Sequence, residues 1–239
     1  MPIFKAGVEK AIRSILDNGA QFQAPAVAKY VDRFRRAHPE ESPAQIIGRI
    51  ETLYLTTVTG SGTAVGATAA VPAVGTLAAL AAVSAETTFF LEASAVYTLA
   101  VAAVHGVAPD DAERRRALVL AVVLGESGMA IVEKNVGRSA QNWATLLTER
   151  IPGIRSLNDT LMRRFILRFL AKRSPLMFGK VLPAGIGAAI GGFGNRTLGK
   201  QTIANAHQAF GPAPLVWHTP VVIDADPLPG LDQPREEQL

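Results

Sequence analysis

Charge disappears from the chain between Glu51 and Glu86, and the run TLYLTTVTGSGTAVGATAAVPAVGTLAALAAVSA is built from Ala, Gly, Val, Thr and Leu. The apolar character continues to Gly106, broken by Glu92 and His105. A surface helix shows one polar face to water. This stretch is therefore either the buried centre of a helix bundle or a segment that meets lipid. Val71-Pro72, followed by Gly75, interrupts the helical pattern and predicts two helices, over 43–70 and 76–105. Ser42-Pro43-Ala44-Gln45 starts the first, with Ser as N-cap and Gln at the third helical position. His105-Gly106 ends the second.

Helical spacing recurs along the rest of the chain. Ile3, Phe4, Val8, Ile12, Ile15 and Leu16 predict a short amphipathic helix over 3–18. Val27, Tyr30, Val31 and Phe34 share one face of a helix over 25–37, which His38-Pro39 ends. Pro109-Asp110-Asp111 opens another, with acids where the helix dipole favours them. A less apolar helix is expected over 126–150, a turn at Ile151-Pro152-Gly153, a basic amphipathic helix over 156–173 and a last helix over about 196–209. The period-two pattern of a strand is absent apart from a weak VVID stretch. The fold class predicted is all-α, a bundle of about seven helices with glycine-striped apolar helices at its centre, over residues 1–210. Residues 211–239 are rich in Pro and acidic, and read as a largely disordered tail.

Composition sharpens this picture. Apolar residues make up 49% of the chain but aromatics only 6%, so packing relies on small aliphatic side chains, which suit close helix contact. There is no cysteine, which excludes disulfides, thiolate chemistry and Cys-based zinc sites. The net charge of +4 is a modest basic excess that fits an anionic membrane surface or a nucleic acid as well as a plain soluble protein. Lys5, Glu9, Lys10 and Arg13 interrupt the opening segment, so no signal peptide is expected there. Neither Pro2 nor the closing REEQL matches a lipidation signal. The expected location is the cytoplasm.

Small residues repeat at every fourth position in two places. Gly62, Gly66 and Ala70 form one stripe; Gly187, Gly191 and Asn195, continued by Gly199, form the other. Residues four apart share a helix face, and each interior glycine costs about 1 kcal/mol relative to Ala. Each stripe therefore predicts a groove that another helix fills, in this chain, in a second copy or in a membrane. Insertion across a bilayer is marginal, because Ala, Gly and Thr contribute little to it and Glu86 and Glu92 would lie inside the second span. A shallow or switchable insertion is the form it would take.

Glu86 and Glu92 are candidate buried acids. Six positions apart, they project roughly 120° from one another and do not form a tight carboxylate pair. They are read either as a proton or cation site, as structural partners of arginines such as Arg114 or Arg115, or as simply exposed at the surface. Arg163, Arg164 and Arg168 beside Phe165 and Phe169 make the 156–173 helix a candidate membrane surface for anionic lipid. Its plainer reading is a bundle helix with a solvated basic face. Nucleic-acid binding is not expected, since aromatics are scarce outside this helix. No metal or cofactor is expected: His38, His105, His207 and His218 are far apart, with no ligand spacing. No catalytic residue is identified. Gly60-Ser61-Gly62 lacks the elbow spacing of a nucleophile, and Gly199-Lys200-Gln201 is not a phosphate loop.

The order of several elements resembles the EcsC protein family. These are Gly60-Ser61-Gly62 through Pro72 and Gly75, Glu86 and Glu92, His105-Gly106, then PDDAERRRALVLAVVLGE at 109–126 and PAGIGAAIGGFGN at 183–195. The resemblance covers roughly residues 25–205. It implies an all-helical, membrane-associated bacterial protein at the inner face of the cell membrane, linked to transport or secretion, with no implied catalytic residues. The function expected is a non-enzymatic accessory protein of undefined biochemistry, with a membrane-protein partner in prospect. The alternatives are an enzyme acting on lipids or peptides at the membrane, and a soluble interaction scaffold.

Overall fold

The structure, a computed structural model, describes residues 24–68, 76–107, 109, 111–136, 144, 159–164, 167–168 and 186–217. It is all-α, with helices packed together and no strand among the described residues. The helices are α1 (Ala24–Ala37), α2 (Pro43–Thr68), α3 (Thr76–Val104), α4 (Ala112–Leu124), α5 (Glu126–Val136) and α6 (Ile186–Phe210). Residues 159–164 are also helical. The predicted helix over 3–18, the break at Val71-Pro72, the stretch 137–143 and the turn at 151–153 lie outside the described residues.

Local chemistry sets the helix ends. At the start of α2 the Ser42 amide donates to Gln45 Oε1 at 2.8 Å, and the Gln45 amide donates to Ser42 Oγ at 3.4 Å. This reciprocal box satisfies two orphan amide donors. At the end of α3, Gly106 takes a positive φ of 70°. The Val107 amide then donates to the Ala102 carbonyl and the Gly106 amide to the Ala103 carbonyl, at 2.9 and 3.1 Å, closing the last turn. Asp111 caps α4 by accepting from the Glu113 and Arg114 amides at 2.8 and 3.0 Å. Gly125 joins α4 to α5 at φ 64° and ψ −133°, a conformation essentially restricted to glycine. A Cβ there would also lie 2.5 Å from Asn205 Oδ1 of α6.

α2 makes its most extensive contact with α6 and its next with α3. Gly62 faces Gly191 and Asn195, Gly199 faces Val58, and the Glu51 carboxylate meets His207. Sequence number rises along α2 as it falls along α6, so the two helices are antiparallel. Ser94 bonds Tyr54, and Glu86 lies level with Val58 and Asn195. α3 is thus antiparallel to α2 and runs alongside α6. α4 is buried along almost its whole length, from Arg115 to Leu124.

Two expectations change. The last helix begins at Ile186 rather than near 196. Its glycines are poor helix formers in isolation, and the tight contact with α2 compensates for their cost. The segment after Gly211 also does not leave the bundle at once. Ala213 and Trp217 pack against the core, and the Arg35 guanidinium lies over the Trp217 ring at 4.4 Å from its centroid. Residues 218–239 lie outside the described residues.

Candidate functional site

The α2–α6 seam is built by absent side chains. A Cβ on Gly62 would overlap the Gly191 carbonyl oxygen and lie 2.7 Å from Asn195 Nδ2. A Cβ on Gly192 would overlap Thr63 Oγ1, and one on Gly199 would press on Leu55 and Val58 at 3.1 Å. Gly62, Gly66, Gly191 and Asn195 are all buried. Gly187 belongs to α6, while Ala70 lies outside the described residues.

Asn195 spans the seam. Its amide nitrogen donates to the Val58 carbonyl at 2.9 Å and to Glu86 Oε1 of α3 in a short contact. Glu86 is 3% exposed and Asn195 1%, so the amide supplies a partner that a buried carboxyl needs. Glu92 is only half-buried and lines a different part of the surface. The two acids therefore belong to separate environments. Arg115, weighed as an acid's partner, is buried and donates to the Pro109 carbonyl at 3.0 Å.

The antiparallel order of the helices brings the charge-free segments to one end. Beyond the Glu86–Asn195 level, α2 runs to Thr68, α3 starts at Thr76 and α6 starts at Ile186, and these portions carry no charge. At about 1.5 Å per residue, Thr76 to Glu86 covers about 15 Å and Ile186 to Asn195 about 14 Å. The outer face of α6 changes character along its length. Ala189 and Phe193 are exposed on the uncharged side; Arg196 and Lys200 are exposed on the other. Phe193 is 75% exposed, and Thr63, Ala64 and Ala67 of α2 are exposed as well. Among the described residues one stretch, Ala85–Val104 of α3, is long and apolar enough to cross a membrane, and most of it is buried inside the protein.

A polar line threads the opposite half of the bundle. His207 Nε2 lies 2.6 Å from Glu51 Oε1, and the Tyr97 hydroxyl donates to the same oxygen at 3.4 Å. Tyr97 stacks on Tyr54 with ring centroids 4.6 Å apart. The Tyr54 hydroxyl shares a 2.8 Å bond with Ser94 Oγ, which donates to the Phe90 carbonyl. Glu51 and His207 also line a cleft of about 500 Å³ with Ala44, Ile47, Gly48 and the 211–213 segment. A carboxylate and an imidazole in contact can move a proton, but no nucleophile joins them in that lining. Sequence spacing could not reveal this pair, because Glu51 and His207 are 156 positions apart. Among the described residues no three His, Asp or Glu side chains group as a metal site.

Burial pushes the Tyr97 phenol above its ordinary value of 10.0, and the Glu51 carboxylate, Tyr54 and the hydrogen bond to Glu51 add to the rise. A raised folded-state value means this group's contribution is fully present below about pH 10 and is lost as pH rises through the folded value. Replacing Tyr97 by Phe is therefore expected to leave the phenolate absorbance of the folded protein at about pH 10 unchanged. A smaller step in the variant would show that Tyr97 ionises in the folded state.

The basic segment is described in part. Leu161 and Met162 are fully buried, while Arg163, Arg164, Leu167 and Arg168 are exposed. Phe165 and Phe169 lie outside the described residues. Compared with protein-family models, curated proteins and solved structures, the chain matches none of them.

Proposed function

We propose that this is a membrane-associated helical accessory protein, of the kind the EcsC resemblance implies, which enters one leaflet through the charge-free end of α2, α3 and α6. The observation that carries this reading is the convergence of three uncharged helix portions at one end of the bundle. Their reach of about 15 Å matches half of a hydrocarbon core of about 30 Å, so the end is long enough to enter and too short to span. Phe193 would sit among acyl chains, with Arg196 and Lys200 further along the same face at the level of anionic headgroups. Glu86 lies at the boundary, already bonded to Asn195 and shielded from lipid. Arg163, Arg164 and Arg168 add exposed positive charge to the surface. The attachment is peripheral, at the cytoplasmic face, and the role is support of a membrane partner rather than bond-making.

Vesicle co-sedimentation tests the reading. The wild-type chain is expected to pellet with vesicles of phosphatidylglycerol and phosphatidylethanolamine. The variant carrying both Ala64→Glu and Phe193→Glu is expected to remain in the supernatant with an unchanged far-ultraviolet circular dichroism spectrum. A double variant that pellets like wild type removes this end from the mechanism, and a wild-type chain that never pellets removes the membrane.

A further inference from the structure

A second cleft, of about 310 Å³, opens between α1, α2 and α3 on the flank of the bundle. Its size is at the lower end of small-molecule sites. Tyr30 comes from α1, Leu53 and Tyr54 from α2, and Phe89, Glu92 and Tyr97 from α3. Leu53 and Phe89 are 45% and 41% exposed. Four of the lining residues are aromatic; Tyr54 and Tyr97 stack on each other and are buried, so Tyr30, half-buried, and Phe89 supply the open aromatic surface. Among the described residues Glu92 is the one charged residue in the lining.

The geometry points to this cleft as a binding site for a quaternary ammonium group. Aromatic faces attract a cation through their quadrupole, and a methylated ammonium sheds its water more readily than a primary amine. Glu92 supplies the counter-charge, while Leu53 and Phe89 accept the apolar part of the ligand. An anion is disfavoured by Glu92, and a purely apolar ligand leaves that carboxylate without a partner. The same headgroup chemistry occurs in free choline-like compounds and in choline-headed lipids. The inference stands apart from the membrane reading, because the cleft is on α1–α3 and not at the charge-free end.

Calorimetric titration of the full chain with choline, and with 3,3-dimethylbutanol as its neutral isostere, tests it. Choline is expected to bind saturably and the isostere about tenfold more weakly or not at all. Glu92→Gln is expected to weaken choline about tenfold, and Phe89→Leu, which keeps apolar volume, about threefold. Circular dichroism and urea midpoints establish that each variant is folded; should Glu92→Gln unfold, Phe89→Leu decides. Monomeric dihexanoylphosphatidylcholine binding at least tenfold tighter than choline assigns the site to lipid headgroups, and equal affinity assigns it to the free cation. Absence of choline binding, equal binding of the isostere, or folded variants that bind as wild type would overturn the proposal.

Discussion

Alanine at Gly62 is expected to destabilise the protein by about 1–2 kcal/mol, whereas alanine at Gly60 stabilises it by up to about 1 kcal/mol. The two positions are neighbours on one helix and differ in what they face. Nothing lies within 4 Å of a Cβ at Gly60, so only the helix-propensity gain operates there. At Gly62 the added carbon meets the backbone oxygen of Gly191 and the Asn195 amide. Backbone does not rotate away, so α2 and α6 must separate along their length. Overpacking of this kind costs about 1–3 kcal/mol, which exceeds the propensity gain. Gly192→Ala is an intermediate case. The atom it meets is a Thr63 hydroxyl, which can turn at the cost of its 3.0 Å bond to the Thr59 carbonyl, so a net change within about 1 kcal/mol is expected. Urea midpoints of the three variants check the order. If Gly62→Ala proved as stable as wild type, the close approach of α2 and α6 would be wrong.

The second large effect is at Asn195. Asn195→Ala is expected to cost about 2–4 kcal/mol, because it removes the amide that serves both the Val58 carbonyl and the Glu86 carboxyl. Asn195→Asp places a second acid against Glu86 in a site that is nearly closed to water. Two adjacent carboxyls hold a proton that the unfolded chain releases, so the folded-state value of the pair lies above the unfolded one. Stability is then present below the unfolded value and lost as pH rises through the folded value. Asn195→Asp is therefore expected to be about 3–5 kcal/mol less stable than wild type at pH 8 and to recover part of that loss at pH 5. Urea unfolding at the two pH values provides the measurement. Parallel pH profiles for variant and wild type would mean that Glu86 is not against residue 195.

How legible was this in the sequence? Helix positions were, wherever a local rule applies. Ser42 with Gln45, His105 with Gly106 and Asp111 each mark a boundary through bonds made within a few residues. The start of α6 was not legible, because its glycines argue against helix until the partner that compensates for them is known. Glu86 and Glu92 look alike in sequence, two lone acids in one apolar run. The fold separates them, burying the first against Asn195 and leaving the second at the mouth of an aromatic cleft. Glu51 and His207 gave no signal at all, since neither is unusual for its segment. Trp217 shows the converse, a residue in a Pro-rich stretch that reads as free and is held by Arg35.

The order of residues alone determined that this chain would be helical, where most helices begin and end, and that part of it carries no charge. These properties follow from hydrogen bonds and side-chain periodicity acting over a few positions. Tertiary structure alone decided that three charge-free portions meet at one end, that a glycine seam brings Asn195 to Glu86, and that aromatic side chains from three helices line one cleft with Glu92. Such juxtapositions depend on the direction in which each helix returns along the bundle, and that direction is set by packing between segments far apart in the chain.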